Sequence, residues 1–147
     1  MTVRFFIDSN VLIYPHDRRE PAKAQAALDL LGALALAGGG VVSSQVLGEF
    51  FWAVTRRLPD PLTDAEGVGS VTRHARTWDV LNVTWLTVRE ALRAVERYQL
   101  PYWDALIWGT ARLAGVPVVL SEDFSDGREI EGVLFRDPFR EGFSLRA

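Results

Sequence analysis

The sequence predicts an α/β fold, in which helices cover both faces of a central, mostly parallel sheet and so form three layers. Short apolar runs at residues 3–8, 41–42, 81–85 and 116–120 are typical of strands buried on both faces. Longer helical patterns separate these runs, as expected where helices connect parallel strands. With 147 residues, 48% hydrophobic and 24% charged, the chain has the size and composition of a single globular domain, predicted over residues 1–147.

Proline, glycine and capping residues mark the helix ends in the first half of the chain. Pro21 suits the first turn of a helix, and the glycine run beginning at Gly38 stops that helix. Ser44 is the predicted N-cap of the next helix, and Pro59 ends it. The predicted elements are, in order, a strand at residues 3–8, a helix at 21–37, a strand at 41–42 and a helix at 44–57.

Two Thr-x-x-Glu patterns predict capping boxes in the second half of the chain. Thr63 and Glu66 form the first pattern, and Thr87 and Glu90 form the second. Pro101 precedes a strongly apolar helix. The predicted elements are a helix at 63–78, a strand at 81–85, helices at 87–99 and 102–114, a strand at 116–120, a polar loop at 121–128 and a short strand at 132–135.

Four carboxylates lie in or beside apolar runs: Asp8, Glu49, Asp104 and Asp123. Neither Glu49 nor Asp104 has a basic residue three or four positions away, where a helical partner would lie. A buried carboxylate without a partner is costly unless another group neutralises it. Asp8 and Asp123 follow strands, whereas the other two lie early in helices. In a parallel sheet these positions share the edge at which ligands bind. We therefore expect the four acids to converge on one cation.

The donor atoms indicate which cation this is. Carboxylate oxygens suit Mg²⁺ or Mn²⁺, whereas zinc usually takes His or Cys, and the chain has two His and no Cys. Such a site holds phosphates and activates water, so phosphodiester hydrolysis is the expected chemistry. Taken singly, each acid also has an ordinary explanation: Asp8 as a helix cap, Glu49 on a solvated face, Asp104 as a first-turn acid and Asp123 as a loop residue.

Taken together, the segments at residues 6–12, 44–50, 102–107 and 120–124 resemble the four acidic blocks of PIN-domain ribonucleases, most closely the VapC-type toxins of toxin–antitoxin pairs. The resemblance implies Mg²⁺- or Mn²⁺-dependent endoribonuclease activity on RNA, a homodimer and inhibition by a cognate antitoxin. It assigns the metal site to Asp8, Glu49, Asp104 and Asp123, and it gives supporting roles to Ser9, Asn10 and Ser121. Asp126 is the alternative acid in the fourth block, and Asp123 is preferred because it fits the family's Ser/Thr-x-Asp pattern.

Charge and composition limit the partners and the location of the protein. A net charge of −3 argues against a protein that coats nucleic acid non-specifically. It leaves room for a local basic rim, for which the candidates are Arg18, Arg19, Arg56, Arg57, Arg73 and Arg76, although solvated helix faces explain these arginines nearly as well. Because cysteine, a signal peptide and a segment of membrane-spanning length are all lacking, we expect a cytoplasmic protein without membrane contact.

Two other functions compete with the nuclease. One is a PIN fold that has lost catalysis and acts as an interaction module, which the presence of all four acids disfavours. The other is a phosphatase resembling the haloacid dehalogenases, whose first Asp also ends the first strand. That chemistry requires a second Asp two residues later, and Asn10 occupies this position.

Overall fold

Six strands form one sheet, in the order β3-β2-β1-β4-β6-β5, in a computed structural model that describes residues 2–146. The ends of the predicted domain, residues 1 and 147, lie outside the described residues. All neighbouring strands are parallel except β5, which pairs antiparallel with β6 at the edge. The strands are β1 (Phe5–Ile7), β2 (Gly40–Ser43), β3 (Asp79–Leu81), β4 (Val118–Leu120), β5 (Glu129–Ile130) and β6 (Val133–Arg136).

Six α-helices connect the strands: α1 (Ser9–Ile13), α2 (Pro21–Ala37), α3 (Ser44–Trp52), α4 (Asp64–Thr77), α5 (Trp85–Tyr98) and α6 (Tyr102–Leu113). A 3₁₀ turn at Tyr14–His16 follows α1, and a π-helical turn at Ala53–Arg57 continues α3. No helix within residues 2–146 has the length and hydrophobicity needed to cross a membrane.

The strand order places the helices in two layers. The chain moves from β1 to β2 to β3 in one direction across the sheet, then returns past β1 to β4. Since crossover connections are right-handed, helices α1–α4 cover one face and α5 and α6 cover the other. The contacts agree, because α3 packs against α1 and α4, whereas α5 packs against α6. The predicted three-layer α/β/α class is confirmed.

The prediction of a strand at residues 81–85 and of a capping box at Thr87 is wrong. Strand β3 already ends at Leu81, and Thr84 caps α5. The hydroxyl of Thr84 accepts a hydrogen bond from the backbone N–H of Thr87 at 3.4 Å, and the Thr87 hydroxyl accepts one from the Thr84 N–H at 3.2 Å. A threonine thus takes the place of the usual Glu, and the true box lies three residues before the predicted one. Trp85, predicted within the strand, opens the helix and is exposed.

Two smaller differences concern the ends of elements, and a third concerns an additional strand. Ser43, not Ser44, caps α3, because its hydroxyl accepts a hydrogen bond from the backbone N–H of Val46 at 3.1 Å. The predicted helix at residues 44–57 is α-helical only to Trp52. Strand β5 was not predicted. It is two residues long, and a turn in which Glu131 and Gly132 both have positive φ joins it to β6.

Tight packing between α5 and α6 fixes the position of α6 over the sheet. Trp108 is fully buried, and its indole N–H donates a hydrogen bond to the carbonyl of Ile130 at 3.0 Å. Gly109 faces α5 so closely that an added Cβ would lie 3.3 Å from the carbonyl oxygen of Thr87. Because a connecting helix runs antiparallel to the strands, the first turn of α6, with Asp104, lies at the carboxyl edge of the sheet.

Candidate active site

The candidate site lies where the strand order reverses, between β1 and β4. Ile7 is in register with Leu120, so the residues that follow, Asp8 and Ser121, leave the sheet side by side. The backbone N–H of Asp8 donates to the carbonyl of Leu120 at 3.0 Å, which extends the pairing by one residue. Connections diverge to opposite faces at such a point and leave a crevice outside the carboxyl ends of the strands.

Asp8 forms the buried floor of this crevice and is 4% exposed. One carboxylate oxygen accepts a hydrogen bond from the backbone N–H of Ser9 at 2.7 Å, and the other accepts one from the Ser121 hydroxyl at 2.7 Å. Burial raises the pKa of Asp8 to about 7, and the charges of Asp123 and Glu49 add to that rise, whereas the two hydrogen bonds oppose it. Near neutral pH the Asp8 carboxyl is therefore poised between its protonated and ionised forms.

Asn10 links the residues that follow β1 and β4. Its amide nitrogen lies 3.1 Å from the Ser121 hydroxyl, 3.2 Å from a carboxylate oxygen of Asp123 and 3.4 Å from Asp8. Its amide oxygen accepts a long hydrogen bond, at 3.4 Å, from the backbone N–H of Glu122. The structure thus brings the predicted supporting residues Asn10 and Ser121 between the two carboxylates, and Ser9 contributes its backbone N–H.

Glu49 and Asp104 reach the same crevice from helices on opposite faces of the sheet. Burial raises the pKa of each. The negative charges of Asp104 and Asp123 raise that of Glu49 further, and the charge of Asp123 does the same for Asp104. The side chain of Gln45 joins the two helices by donating to the carbonyl of Trp103 at 3.3 Å. Because Glu49 is exposed, solvent screens part of the effect on its pKa.

The pKa of Asp123 is raised as well, first by burial and then by Glu122, while a hydrogen bond from Asn10 and the charge of Arg57 oppose the rise. Each of the four predicted acids therefore takes part in at least one such charge effect. The charge of Asp123 raises the pKa of the other three, Glu49 also raises that of Asp8, and Asp104 also raises that of Glu49. The structure brings them to one edge of the sheet, and the outer three are open to solvent.

Glu122 and Asp126, the other acids near the fourth strand, are bound elsewhere. Glu122 accepts a hydrogen bond from the Tyr14 hydroxyl and an ion-pair contact from the Lys23 ammonium at 2.9 Å. One oxygen of Asp126 accepts from the backbone N–H of Asp137 at 2.8 Å, and the other lies 3.6 Å from Arg140. Asp123, by contrast, meets Asn10, so it is the acid of this block that faces Asp8.

A groove of about 600 Å³ opens beside the acids. Glu49 and Asp123 lie in its lining, whereas Asp8 and Asp104 do not. Of the six arginines proposed as a basic rim, Arg19 and Arg57 line the groove. Tyr14 and Trp52 also line it, and the sequence did not mark either residue as functional. The i, i+3 spacing of Glu49 and Trp52 is the signal that could have identified Trp52.

The donor atoms of the site fit Mg²⁺ or Mn²⁺. Within residues 2–146, no three His, Asp or Glu side chains already stand close enough together to hold a metal ion. The four acids nevertheless offer carboxylate oxygens alone, the ligands that these cations prefer. Burial first, and neighbouring negative charges second, raise the pKa values of these acids, and a bound cation would favour their ionised forms. The two histidines, ligands more typical of zinc, both contact the ring of Phe50 and lie outside the groove lining.

Comparison with known proteins adds one family and several structures. The family model described as PIN domain matches residues 5–125. VapBC2 from Rickettsia felis, bound to a DNA fragment from its promoter, is 13% identical with a TM-score of 0.66, and the match covers 91% of this chain and 98% of that one. A toxin–antitoxin complex from Klebsiella pneumoniae is 18% identical with a TM-score of 0.62, and the match covers 91% and 97%.

VapC20 from Mycobacterium tuberculosis, described as a toxin that cleaves the sarcin–ricin loop, is 19% identical with a TM-score of 0.61, and the match covers 81% of this chain and 91% of that one. No curated protein matches the sequence. At these identities the structural likeness concerns the fold.

Proposed function

The chain belongs to the PIN domain family, and from this premise we propose that it is a Mg²⁺- or Mn²⁺-dependent endoribonuclease that hydrolyses RNA phosphodiester bonds. We further propose that it acts as the toxin of a toxin–antitoxin pair. One observation supports the proposal: four carboxylates from separate elements are linked by the effects of their charges on one another's pKa values, and burial raises the pKa of Asp8 to about 7.

The candidate site residues have two different roles in this proposal. Asp8, Glu49, Asp104 and Asp123 would hold the cation, which supplies a water of lowered pKa and neutralises charge on the phosphate. Ser121 and Asn10 hold the Asp8 and Asp123 carboxylates in place through hydrogen bonds of 2.7 and 3.2 Å. These two donors follow β1 and β4, which pair with each other, so they hold Asp8 and Asp123 at a fixed place at the edge of the sheet.

RNA as the substrate and an antitoxin as the partner rest on family relations. One structural neighbour is described as a toxin that cleaves the sarcin–ricin loop, and others are toxin–antitoxin complexes. The site adds a physical argument for the partner. An acidic crevice would accept an inhibitor's arginine side chain, since a guanidinium pairs with carboxylates through two parallel hydrogen bonds. A homodimer is proposed on the same family grounds, and light scattering of the purified protein tests it.

The test is cleavage of structured and single-stranded RNA by the purified protein in Mg²⁺, Mn²⁺ or EDTA. We expect cleavage with either metal, none in EDTA and none with Asp8→Ala. The matched control is Asp29→Ala, because Asp29 lies on the exposed side of α2 and outside the groove lining. Cleavage that persists in EDTA, or that is equal in Asp8→Ala, would mean a contaminant or another mechanism.

The alternative is a PIN fold without catalysis that serves as an interaction module. It predicts that no RNA is cut with any metal, although the protein still binds its partner. The phosphatase alternative finds no support, because the Asn10 amide donates hydrogen bonds to the carboxylates of Asp8 and Asp123 and cannot act there as a general acid. Hydrolysis of a simple phosphate monoester by the wild-type protein would revive that alternative.

A further inference from the structure

The helix that carries Glu49 changes its geometry as it passes the groove. After Trp52, the chain forms a single π-helical turn, closed by a hydrogen bond from the backbone N–H of Leu58 to the carbonyl of Ala53 at 3.1 Å. A π turn accommodates one more residue than an α turn, and such turns are frequent at functional sites. The residues at the end of this turn are therefore shifted around the helix axis by about one position relative to an α-helix.

This shift determines which of two adjacent arginines faces the groove. In an uninterrupted α-helix, the residue seven positions after Glu49 would share its face, and that residue is Arg56. The extra residue in the π turn gives this place to Arg57, which lines the groove. Arg56 is directed instead to Asp64, with which it forms an ion pair at 2.7 Å.

Arg57 also differs from its neighbours in its pairing. Arg18, Arg19 and Arg56 each have a carboxylate partner, whereas among residues 2–146 Arg57 has none. Its side chain is exposed, yet its charge lowers the pKa of Asp123. A cation that is unpaired within the described chain thus stands close to the candidate active site, on a groove whose acids would repel a phosphate.

Trp52 lies on the same wall, between Glu49 and Arg57, and is 61% exposed. An exposed tryptophan is not unusual by itself. Trp85 and Trp103 are equally exposed, at 66% and 64%, but neither lines the groove. The feature specific to Trp52 is that it shares the groove lining with Arg57, which is unpaired among residues 2–146, and lies within one helical turn of Glu49.

We propose that Trp52 and Arg57 form a nucleotide-binding element, in which the indole stacks on a base of the substrate and the guanidinium binds a neighbouring phosphate. This inference rests on the proposed nuclease function and specifies its substrate. A base can stack on an aromatic side chain only after leaving its own helix, so the substrate is unpaired RNA next to the cleaved bond. Stacking tolerates any base, and therefore this element selects single-strandedness rather than sequence.

The first experiment tests stacking through binding, measured by fluorescence anisotropy in EDTA so that cleavage does not interfere. The probe is a short labelled single-stranded RNA, together with a series in which one nucleotide at a time lacks its base. We expect Trp52→Ala to bind the intact RNA about tenfold more weakly, Trp52→Phe to retain most of the affinity, and Trp85→Ala to match the wild type.

The abasic series distinguishes the loss of stacking from a general loss of RNA binding by the groove. At the position that stacks, removing the base should weaken binding to the wild type and have no further effect on Trp52→Ala. RNA should also quench the tryptophan fluorescence of the wild type more than that of Trp52→Phe. Equal binding by wild type and Trp52→Ala, or equal sensitivity of both to every abasic position, would overturn the proposal.

The second experiment tests the phosphate contact through the dependence of binding on salt. Arg57→Gln should reduce the slope of log K against log salt by about 0.7, the value for one phosphate on a single strand. Arg56→Gln is the matched control, and its slope should equal that of the wild type. Equal slopes for both variants would contradict the assignment of Arg57.

Cleavage is assayed separately in Mg²⁺ or Mn²⁺, so the two ideas can fail independently. If the wild type cleaves RNA but the Trp52 and Arg57 variants bind it normally, the nucleotide-binding element is wrong and the nuclease stands. If the wild type neither binds nor cleaves RNA, both ideas are wrong.

Discussion

Replacing Asp8 by asparagine should stabilise the metal-free protein at alkaline pH. The side chain is buried, and its pKa is raised from 3.8 to about 7. Because the folded state holds this proton more tightly than the unfolded chain does, the free energy of unfolding falls as the pH rises between these two values. Asparagine keeps the shape of the side chain and can still accept the hydrogen bond from the Ser9 N–H, but it carries no charge at any pH.

The magnitude follows from the size of the pKa shift. A rise from 3.8 to about 7 corresponds to about 4 kcal/mol at pH 8, since one pKa unit is worth about 1.4 kcal/mol. At pH 5 the same linkage gives less than about 2 kcal/mol, because the folded state is then protonated. The stability advantage of Asp8→Asn over the wild type should therefore grow by about 2–3 kcal/mol between these pH values.

The assay is urea denaturation at a series of pH values in EDTA, followed by tryptophan fluorescence, with the m-values compared to ensure that two-state unfolding holds. Asp29→Asn, on the exposed side of α2, is measured in parallel and should follow the wild type. Adding Mg²⁺ or Mn²⁺ at pH 8 should stabilise the wild type more than Asp8→Asn. A stability difference that does not vary with pH would refute the reasoning and show that Ser9 and Ser121 keep the carboxylate ionised.

Three further predictions concern the site and the packing that positions it. Asp104→Asn should abolish RNA cleavage while keeping or raising the melting temperature in EDTA; a large drop in that temperature would identify Asp104 as a structural residue instead. Asn10→Asp replaces a hydrogen-bond donor by a further negative charge, so the protein should lose stability at pH 8 in EDTA by urea denaturation and regain part of it with Mg²⁺; no change would mean that Asn10 does not contact the acids. Gly32→Ala should stabilise the protein by about 0.5–1 kcal/mol through helix propensity, because its Cβ would have open space, whereas Gly109→Ala should destabilise it, since its Cβ would lie 3.3 Å from the Thr87 carbonyl; the same gain in both variants would contradict the close packing of α5 and α6.

The sequence by itself determined the fold class and the set of acids. Apolar runs separated by helical patterns were enough for a parallel sheet, because strands buried on both faces have a distinctive composition. Asp8, Glu49, Asp104 and Asp123 stood out because each lay in or beside an apolar run. Their convergence also followed from a general rule, since the carboxyl ends of parallel strands share one edge.

The sequence was less reliable where competing local signals were equally good. Thr84 and Thr87 both begin patterns that can cap a helix, and in the structure Thr84 makes the cap. The preceding strand ends at Leu81, and Trp85 is exposed at the start of α5, which the apolar run in the sequence does not indicate. The strand and the helix were both predicted, but their ends lie a few residues from the predicted positions.

Only the tertiary structure decided which neighbours of the acids belong to the site. Glu122 and Asp123 are adjacent in the chain, yet Lys23 and Tyr14 bind the first and Asn10 meets the second. The choice between Arg56 and Arg57 depends on a single π-helical turn, which shifts the register of the helix by one residue. Both outcomes follow from contacts between distant segments and from one irregular backbone turn, and pattern and spacing within a segment carry no information about either.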